Sequence, residues 1–593
     1  MPTLYWIGKD AVVNHHQQVP FHLLKDVPGL SCGQPGDGNL IVQGDNLVAL
    51  KALLPYYGGQ VKCIYIDPPY NTGEEKWAYN DNVNSPLIRE WLGKVVGRED
   101  ETLDRHDRWL CMMYPRLSLL RQLLSEEGVI VIHIDEHELA NLIVIMDEIF
   151  GRQNLVGQIV WDKGNPKGDS EGIAYQHETL LVYARDKKEF LKSCDVQLDK
   201  PNAERMLRKA KAIYKKLGKN NIPEDLKDVV KKYNLSEDIL KKHIHPYELT
   251  DANNDFTEWI STQKDLKGGE KMYKYINEAG RVYRLVSMAW PNKEKAPDEY
   301  FEDIIHPKTG KVCSKPARGW RCPPNTVKDL LKKGLIVFGE DETSQPQKVY
   351  FLDENMRENV SSILKYGGSD DDLLAKLEVE FPTIKPHEFA ARILAIFTKE
   401  DDLVLDSFAG SGTTGHAVLE LNKQEGKKRK FILIEMDPKI AQESTLLRMQ
   451  RVIAGHTNKK RDVMPGLGGG FRYCVIGDTL FDETGKIRET VSFADLARHV
   501  YFTETGEPLP RERVSKTPLL GVLRGVAVYL LYNGILGDKT VNGGNVLTRA
   551  ILTKLPPFNG QKVIYCAGCL LGRDRLQNEK IIVRQTPYEI KVS

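Results

Sequence analysis

Three features of the chain predict an α/β fold whose largely parallel sheet is split in sequence by a long insertion. Short apolar strands alternate with amphipathic helices from Asn39 to about residue 183. The alternation is lost between about 190 and 380, and it returns over 384–454. The length of 593 residues exceeds one typical domain and leaves room for two to four.

The elements follow in order. Leu40-Ile41-Val42 reads as a strand, Gly44-Asp45-Asn46 as a turn and helix cap, LVALKALLP as a helix and VKCIYID as a strand. A helix around Trp109 to Leu124, the strand GVIVIHID at 128–135, the helix ELANLIVIMDEIF and strands near 156–161 and 178–183 complete the first half. Residues 200–219 form a basic helical stretch and 220–245 keep helical spacing. A loop-rich region carries HPKTG (306–310), ARGWR (317–321) and CPPN (322–325). A helix, the strand DLVLD, a glycine turn, a helix and the strand FILIE then fill 384–454. PGLGGG at 465–470 reads as a hinge into a C-terminal region with its own strands and helices. The apolar run 519–536, interrupted by Arg524 and Asn533, reads as a buried helix rather than a membrane span.

Hydrophobic residues at 41% and charged residues at 28% fit a globular protein and exclude a disordered acidic or basic chain. Nine scattered cysteines do not make a disulfide scaffold, and MPTLYWIGKD lacks the pattern of a signal peptide. A reducing, cytoplasmic location is expected. The net charge of +1 would argue against a nucleic-acid partner if it were uniform, but it is not. Residues 1–150 carry 12 basic and 21 acidic side chains, whereas 381–593 carry 31 and 23. Within the insertion, 307–335 holds eight basic residues against one acidic, and 199–219 holds eight against two. Such local patches are what phosphates respond to.

Two motifs carry chemistry. Asp67-Pro68-Pro69-Tyr70 ends the strand CIYI, and in a parallel sheet ligands bind beyond the carboxyl ends of strands. The prolines stiffen the backbone and leave carbonyls without competing amides, Asp67 adds an acceptor and Tyr70 an aromatic face. Two acceptors beside a π surface make a receptacle for a planar ring bearing an exocyclic amine, and the strand end followed by Asn71-Thr72-Gly73 favours that reading over a plain rigid turn. The second motif, LVLD-SFAGSGTTG at 403–415, is a strand, glycine turn and helix N-terminus that lets a ligand approach the backbone. Gly410, Gly412 and Gly415 satisfy the dinucleotide spacing, and Glu435, 20 residues after Gly415, stands where ribose hydroxyls need an acceptor. The glycines alone do not separate a nicotinamide dinucleotide from another adenosine-bearing cofactor. Asp45 sits either as a plain helix cap or beside the cofactor.

On IDPPYNTG and FAGSGTTG, the chain resembles the amino-group DNA methyltransferases that use S-adenosylmethionine. The order of the two motifs, with the insertion between them, is similar to the β group. VQGDNLVALKALL, HIDEHELANLIVIMDEIFG, HPKTGK, GWR, KPHEFAARIL and FAGSGTTGHAVLELN resemble in particular the modification subunits of type III restriction–modification systems. The resemblance implies a Rossmann-like, circularly permuted methyltransferase sheet, interrupted by a target recognition domain and followed by a C-terminal α+β domain. It divides the chain into an N-terminal arm (1–35), methyltransferase parts (36–190 and 381–456), the target recognition insertion (191–380) and a C-terminal domain (457–593).

Carried over by position, Asp67, Pro68, Pro69 and Tyr70 would hold the target base. Asp45, Lys385, Asp406, Phe408, Ala409, Gly410, Ser411, Gly412, Thr413 and Glu435 would surround the cofactor. The resemblance further implies adenine N6 in double-stranded DNA as the target, a homodimer, and a nuclease–helicase restriction subunit as a possible partner. In the basic segment of the insertion, Lys308, Lys311, Lys315, Arg318, Trp320 and Arg321 are the candidate DNA contacts. Other readings are a solitary or cytosine-N4 methyltransferase, an NAD-dependent oxidoreductase, and a non-catalytic DNA specificity protein. No metal is expected: Cys566-Ala-Gly-Cys569 lacks a second ligand pair, and His133 and His137 straddle a strand end.

Overall fold

The structure is a computed structural model, and it describes residues 3–33, 38–72, 93–94, 104–164, 173–200, 202–221, 224–236, 238–242, 244–266, 268–509, 517–532, 535–537 and 544–586. Gly73 and Asn533 lie outside the described residues. Two compact units result, one formed by Met1–Val196 with Ser361–Ser593 and the other by Gln197–Val360.

The larger unit is built on one ten-stranded sheet. In chain order its elements are β1 (His22–Asp26), β2 (Leu40–Gln43), α1 (Asn46–Tyr57), β3 (Val61–Ile66), α2 (Arg105–Leu123), β4 (Leu124–Ile134), α3 (Leu139–Phe150), β5 (Leu155–Asp162) and β6 (His177–Ala184). They continue as β7 (Ile363–Lys365), α4 (His387–Phe397), β8 (Leu403–Asp406), α5 (Thr413–Glu425), β9 (Lys430–Glu435), α6 (Leu447–Ala454) and β10 (Arg472–Thr479). The strand order is β1-β10-β2-β9-β8-β3-β4-β6-β5-β7. From β10 through β4 every neighbour is parallel, while β6 runs antiparallel to both β4 and β5.

The central strands are buried along nearly their whole length, which is why they read as unbroken apolar runs rather than alternating ones. Ile64, Ile66, Leu405, Ile432 and Ile434 share a core with Leu50 and Leu53 of α1 and Trp109 and Leu117 of α2. The chain leaves β8 through α5 to β9 on one side, and leaves β3 toward β4 on the other. The crevice between the carboxyl ends of β8 and β3 is therefore the topological switch point, where α/β sheets bind ligands.

Three expectations need correction. PGLGGG does not lead straight into the C-terminal region's own sheet: it first delivers the chain into β10, which pairs in parallel with β2 inside the main sheet. The run 519–536 contains no helix among its described residues. Leu519–Leu523 and Val526–Leu530 form an antiparallel hairpin, turned at Arg524 and Gly525, whose φ angles are 47° and 80°. With Gln561–Cys566 and Ile581–Gln585 they make a four-stranded sheet whose Val528, Leu530, Val563 and Tyr565 join the main core. A continuous apolar run fits a buried helix or a buried strand pair equally well until its partners are known. The return to the main sheet also comes earlier than 381, because β7 pairs in parallel with β5. No helix among the described residues is long and apolar enough to cross a membrane.

The unit Gln197–Val360 has an antiparallel four-stranded sheet formed by Tyr275–Ile276, Val282–Ser287, Gln347–Phe351 and Ile336–Val337. Met206, Phe256, Tyr273 and Leu352 form one of its cores; Met288, Cys313, Trp320 and Val327 form another. Trp320 is thereby corrected from DNA contact to core residue. It is 1% exposed, and its indole N–H donates to the Glu302 carbonyl at 2.8 Å.

Candidate active site

Strand β3 delivers Asp67-Pro68-Pro69-Tyr70 into the crevice. The Pro69 carbonyl accepts the indole N–H of Trp109 at 2.6 Å, so helix α2 clamps the turn from behind and the carbonyl left for a ligand is that of Pro68. Asn71 follows in the left-handed region, with φ 60°. Its side-chain amide donates to the Arg105 carbonyl at 3.0 Å and to Glu138 Oε1 at 2.5 Å. Glu138 is fully buried and also lies 2.7 Å from His106 Nδ1. This clamp holds a strained backbone that would otherwise relax.

In front of the turn lies a charged cluster that the motifs alone do not foretell. Lys385 Nζ donates to the Tyr70 hydroxyl at 2.9 Å and lies 3.2 Å from Asp67 Oδ2 and 3.2 Å from Glu178 Oε2. It also sits over the Tyr70 ring, 4.7 Å from the centroid. Tyr70 in turn donates to Glu178 Oε2 at 3.1 Å, and Lys163 pairs with Glu178 Oε1. Burial alone would raise the Glu178 pKa, but Lys385, His133 and Lys163 hold it well below the usual carboxylate range. Burial likewise opposes the Lys385 charge, and Asp67 and Glu178 outweigh it, raising that pKa. The Tyr70 hydroxyl, pushed well up by burial, stays protonated. Asp67 Oδ1 is buried and has no hydrogen-bond partner among the described residues. An unsatisfied buried carboxylate oxygen is costly, so it marks a place where a donor belongs.

Across the switch point, β8 ends in Asp406, which is 4% exposed. Its oxygens accept from the Phe408 amide at 2.9 Å and the Thr414 hydroxyl at 2.5 Å, yet burial pushes its pKa up to about 7. Gly412 takes φ 82° to cap α5, a conformation that favours glycine. Gly415 packs the helix onto the sheet: a Cβ there would meet Leu433 and Met449 at 2.9 Å. At the end of β9, Glu435 accepts from the Gly410 amide at 2.9 Å and the Asp437 amide at 2.9 Å. Burial pushes its pKa up to about 8, against those backbone donors. Ala409 is buried beside it, and its amide donates to the Ile434 carbonyl at 3.0 Å. Asp45 caps α1 through the Val48 amide at 3.1 Å and lies 3.4 Å from the buried Arg116.

Three expected cofactor neighbours turn elsewhere. The ammonium of Lys385 belongs to the Asp67–Tyr70 side of the crevice, although its carbonyl accepts from the Thr413 hydroxyl at 3.4 Å. Ser411 and Thr413 point their hydroxyls inward, each accepting from Arg448 at 3.0 Å. Arg448, with no exposed side-chain surface, also donates to Asp370 Oδ2 at 2.8 Å, and Asp370 Oδ1 lies 2.8 Å from His387 Nδ1. The other His387 nitrogen is 2.9 Å from Glu420. Burial opposes the His387 charge, but Asp370 and Glu420 raise its pKa to about 9. His387, His416 and Glu420 could be taken for metal ligands. However, both His387 nitrogens already face carboxylates, at Asp370 and Glu420, and the Arg448 guanidinium lies 3.2 Å from His416 Nδ1. The cluster is a buried support beneath the glycine turn.

Sequence reading missed Glu178, Glu138, Trp109, Asp370 and Arg448. HIDEHE contains Glu138, but its histidines drew attention; His133 bonds to the Tyr65 hydroxyl at 2.6 Å, and His137 to Asp135. In the second unit Lys308 is exposed and Lys311 pairs with Glu342 at 2.8 Å. Lys315 pairs with Asp303, Arg318 donates to the Asn292 carbonyl at 2.8 Å, and Arg321 is half-buried.

Residues 61–446 match the family model described as DNA methylase. The chain is 31% identical over 427 residues to the type III restriction-modification enzyme EcoP15I Mod subunit of Escherichia coli, covering 69% of this chain and 60% of that one. It is 30% identical over 416 residues to the StyLTI Mod subunit of Salmonella typhimurium, covering 67% and 52%. It is 29% identical over 401 residues to the type II methyltransferase M.KpnI of Klebsiella pneumoniae, covering 66% and 79%. The chain thus spans little more than half the length of the Mod subunits it matches.

Proposed function

The chain belongs to the DNA methylase family, and on that premise we propose that it transfers a methyl group from S-adenosylmethionine to adenine N6 of a base flipped out of double-stranded DNA. We further propose that it does so as the modification subunit of a restriction–modification system, working as a dimer with a nuclease–helicase subunit as partner. The observation that carries this reading is the pairing, across one switch point, of an unsatisfied acceptor at Asp67 with a glycine turn backed by a buried Glu435.

The residues present suit the cofactor. Glu435 offers buried carboxylate oxygens to ribose hydroxyls, Asp406 and the turn at Phe408 to Gly412 would frame the amino-acid end, and Asp45 would lie toward the adenine. When bound, S-adenosylmethionine supplies a methyl group on a sulfonium sulfur. The rest is done by the protein. Asp67 and the Pro68 carbonyl accept the two N–H bonds of the target amine, which draws its lone pair out of ring conjugation. The same acceptors stabilise the positive charge that develops on nitrogen, and the rigid turn supplies positioning. Flipping the base costs a few kcal/mol, offset in part by stacking on Tyr70, which is worth about 1–3 kcal/mol.

Sequencing that detects modified bases in DNA from cells expressing the chain tests the reading. N6-methyladenine at one recurring sequence is expected. N4-methylcytosine would replace the target base, and unmodified DNA would overturn the proposal.

A further inference from the structure

We propose that Lys385, steered by Glu178, is a second reader of the target base, donating to the ring nitrogen beside the amine that Asp67 accepts. This inference rests on the function proposed above and names how its substrate is chosen. The amine of adenine neighbours a ring nitrogen that can only accept, so this edge presents a donor next to an acceptor. Cytosine presents the same pair, whereas thymine and guanine present the reverse, a carbonyl beside an N–H. A pocket that admits amino bases and refuses oxo bases therefore needs an acceptor and a donor side by side. Asp67 Oδ1, buried without a partner among the described residues, is the acceptor. The ammonium of Lys385, 3.2 Å from the other oxygen of the same carboxylate, is the donor.

Lys385 is placed for this and for little else. Its ammonium lies at the hydroxyl end of Tyr70, 2.9 Å from the oxygen and 4.7 Å from the ring centroid, so the edge of a base stacked on the ring comes beside it. Its side chain is only 11% exposed, which excludes a freely solvated lysine. Of its three N–H bonds, one goes to Tyr70, one to Glu178 and one toward Asp67. The arriving amine donates one N–H to Asp67 Oδ1 and the other to the Pro68 carbonyl, and the Lys385 N–H that faces Asp67 Oδ2 turns to the ring nitrogen. One contact to Asp67 Oδ2 is given up, while Oδ1 and the ring nitrogen each gain a donor, so the exchange costs little for an amino base. An oxo base would set a carbonyl against Asp67 and an N–H against the ammonium, leaving buried groups unpaired. Glu178 keeps the ammonium at the Tyr70 edge through the whole exchange, which makes it a positioning residue. The second cation, Lys163, lets Glu178 remain ionised when Lys385 turns.

The test uses the full chain and duplexes carrying its recognition sequence with either adenine or 1-deazaadenine at the target position; the analogue keeps the amine and replaces the ring nitrogen by C–H. Because the analogue's amine differs intrinsically, the quantity compared is the ratio of kcat/KM for the two bases in the native protein and in variants. We expect that ratio to fall about tenfold or more from the native protein to Lys385→Met, and to be kept by Lys385→Arg. Glu178→Gln is expected to lower the ratio while leaving S-adenosylmethionine binding in place. An unchanged ratio in Lys385→Met would overturn the inference, as would an equally reduced ratio in Lys385→Arg. A native protein that methylates neither base would instead overturn the proposed function, so the two failures are distinguishable.

Discussion

Asp67 and Glu435 are both acids at strand ends, but their surroundings give them opposite tasks. Asp67 lies beside a cation and keeps an oxygen waiting for a donor. Asp67→Ala should abolish methyl transfer while changing S-adenosylmethionine affinity by less than about threefold, because the cofactor side of the crevice is untouched; calorimetry and a labelled-methyl assay on one preparation check this. Glu435 has its pKa raised to about 8, so the free protein holds much of it neutral at pH 7. Ribose hydroxyls donate best to the ionised form, so cofactor binding should release a proton. Affinity is then expected to rise with pH, by up to about tenfold per unit below pH 8, and to level off above it. Titration in buffers of differing ionisation enthalpy reads that proton, and Glu435→Gln should remove the slope. Trp320 is the residue where pattern misled: a tryptophan among arginines and lysines suggested a base contact, and packing made it core. Trp320→Ala should cost about 3–5 kcal/mol of stability in urea melts, the usual cost of emptying a large core site.

At the scale of elements, the glycine turn shows how a motif depends on helices far from it in sequence. Its hydroxyls hang on Arg448 of α6, and Arg448 answers to Asp370, which also grips His387 at the head of α4. Arg448→Met should therefore leave Asp370 buried with less than its full counter-charge and destabilise the protein by about 3–5 kcal/mol, measurable by thermal unfolding with and without cofactor. None of this was legible in advance, because a buried arginine on an amphipathic helix has the same spacing as a solvated one. The strands themselves were legible, since β3, β8 and β9 are apolar along their length and end in turn residues. The run 519–536 was not, because helix and hairpin bury the same apolar residues and only the left-handed turn at Arg524 and Gly525 distinguishes them.

For the whole molecule, the net charge of +1 conceals an acidic opening segment and basic stretches downstream. If those stretches meet phosphates, DNA affinity should fall by about 100-fold or more between 50 and 200 mM salt, in filter-binding or anisotropy titrations. A flat salt dependence would remove the electrostatic part of the proposal. The sequence by itself determined the α/β class, the two motifs and the strand ends that carry them, because those depend on local hydrophobic pattern and turn chemistry. Only the tertiary structure decided that β8 enters between β9 and β3, that Glu178 and Lys385 meet at Tyr70, and that the chain after 465 rejoins the main sheet. Apart from the β8–β9 pairing, those are contacts between residues hundreds of positions apart, and they are set by which buried surfaces fit one another, information that no local pattern contains.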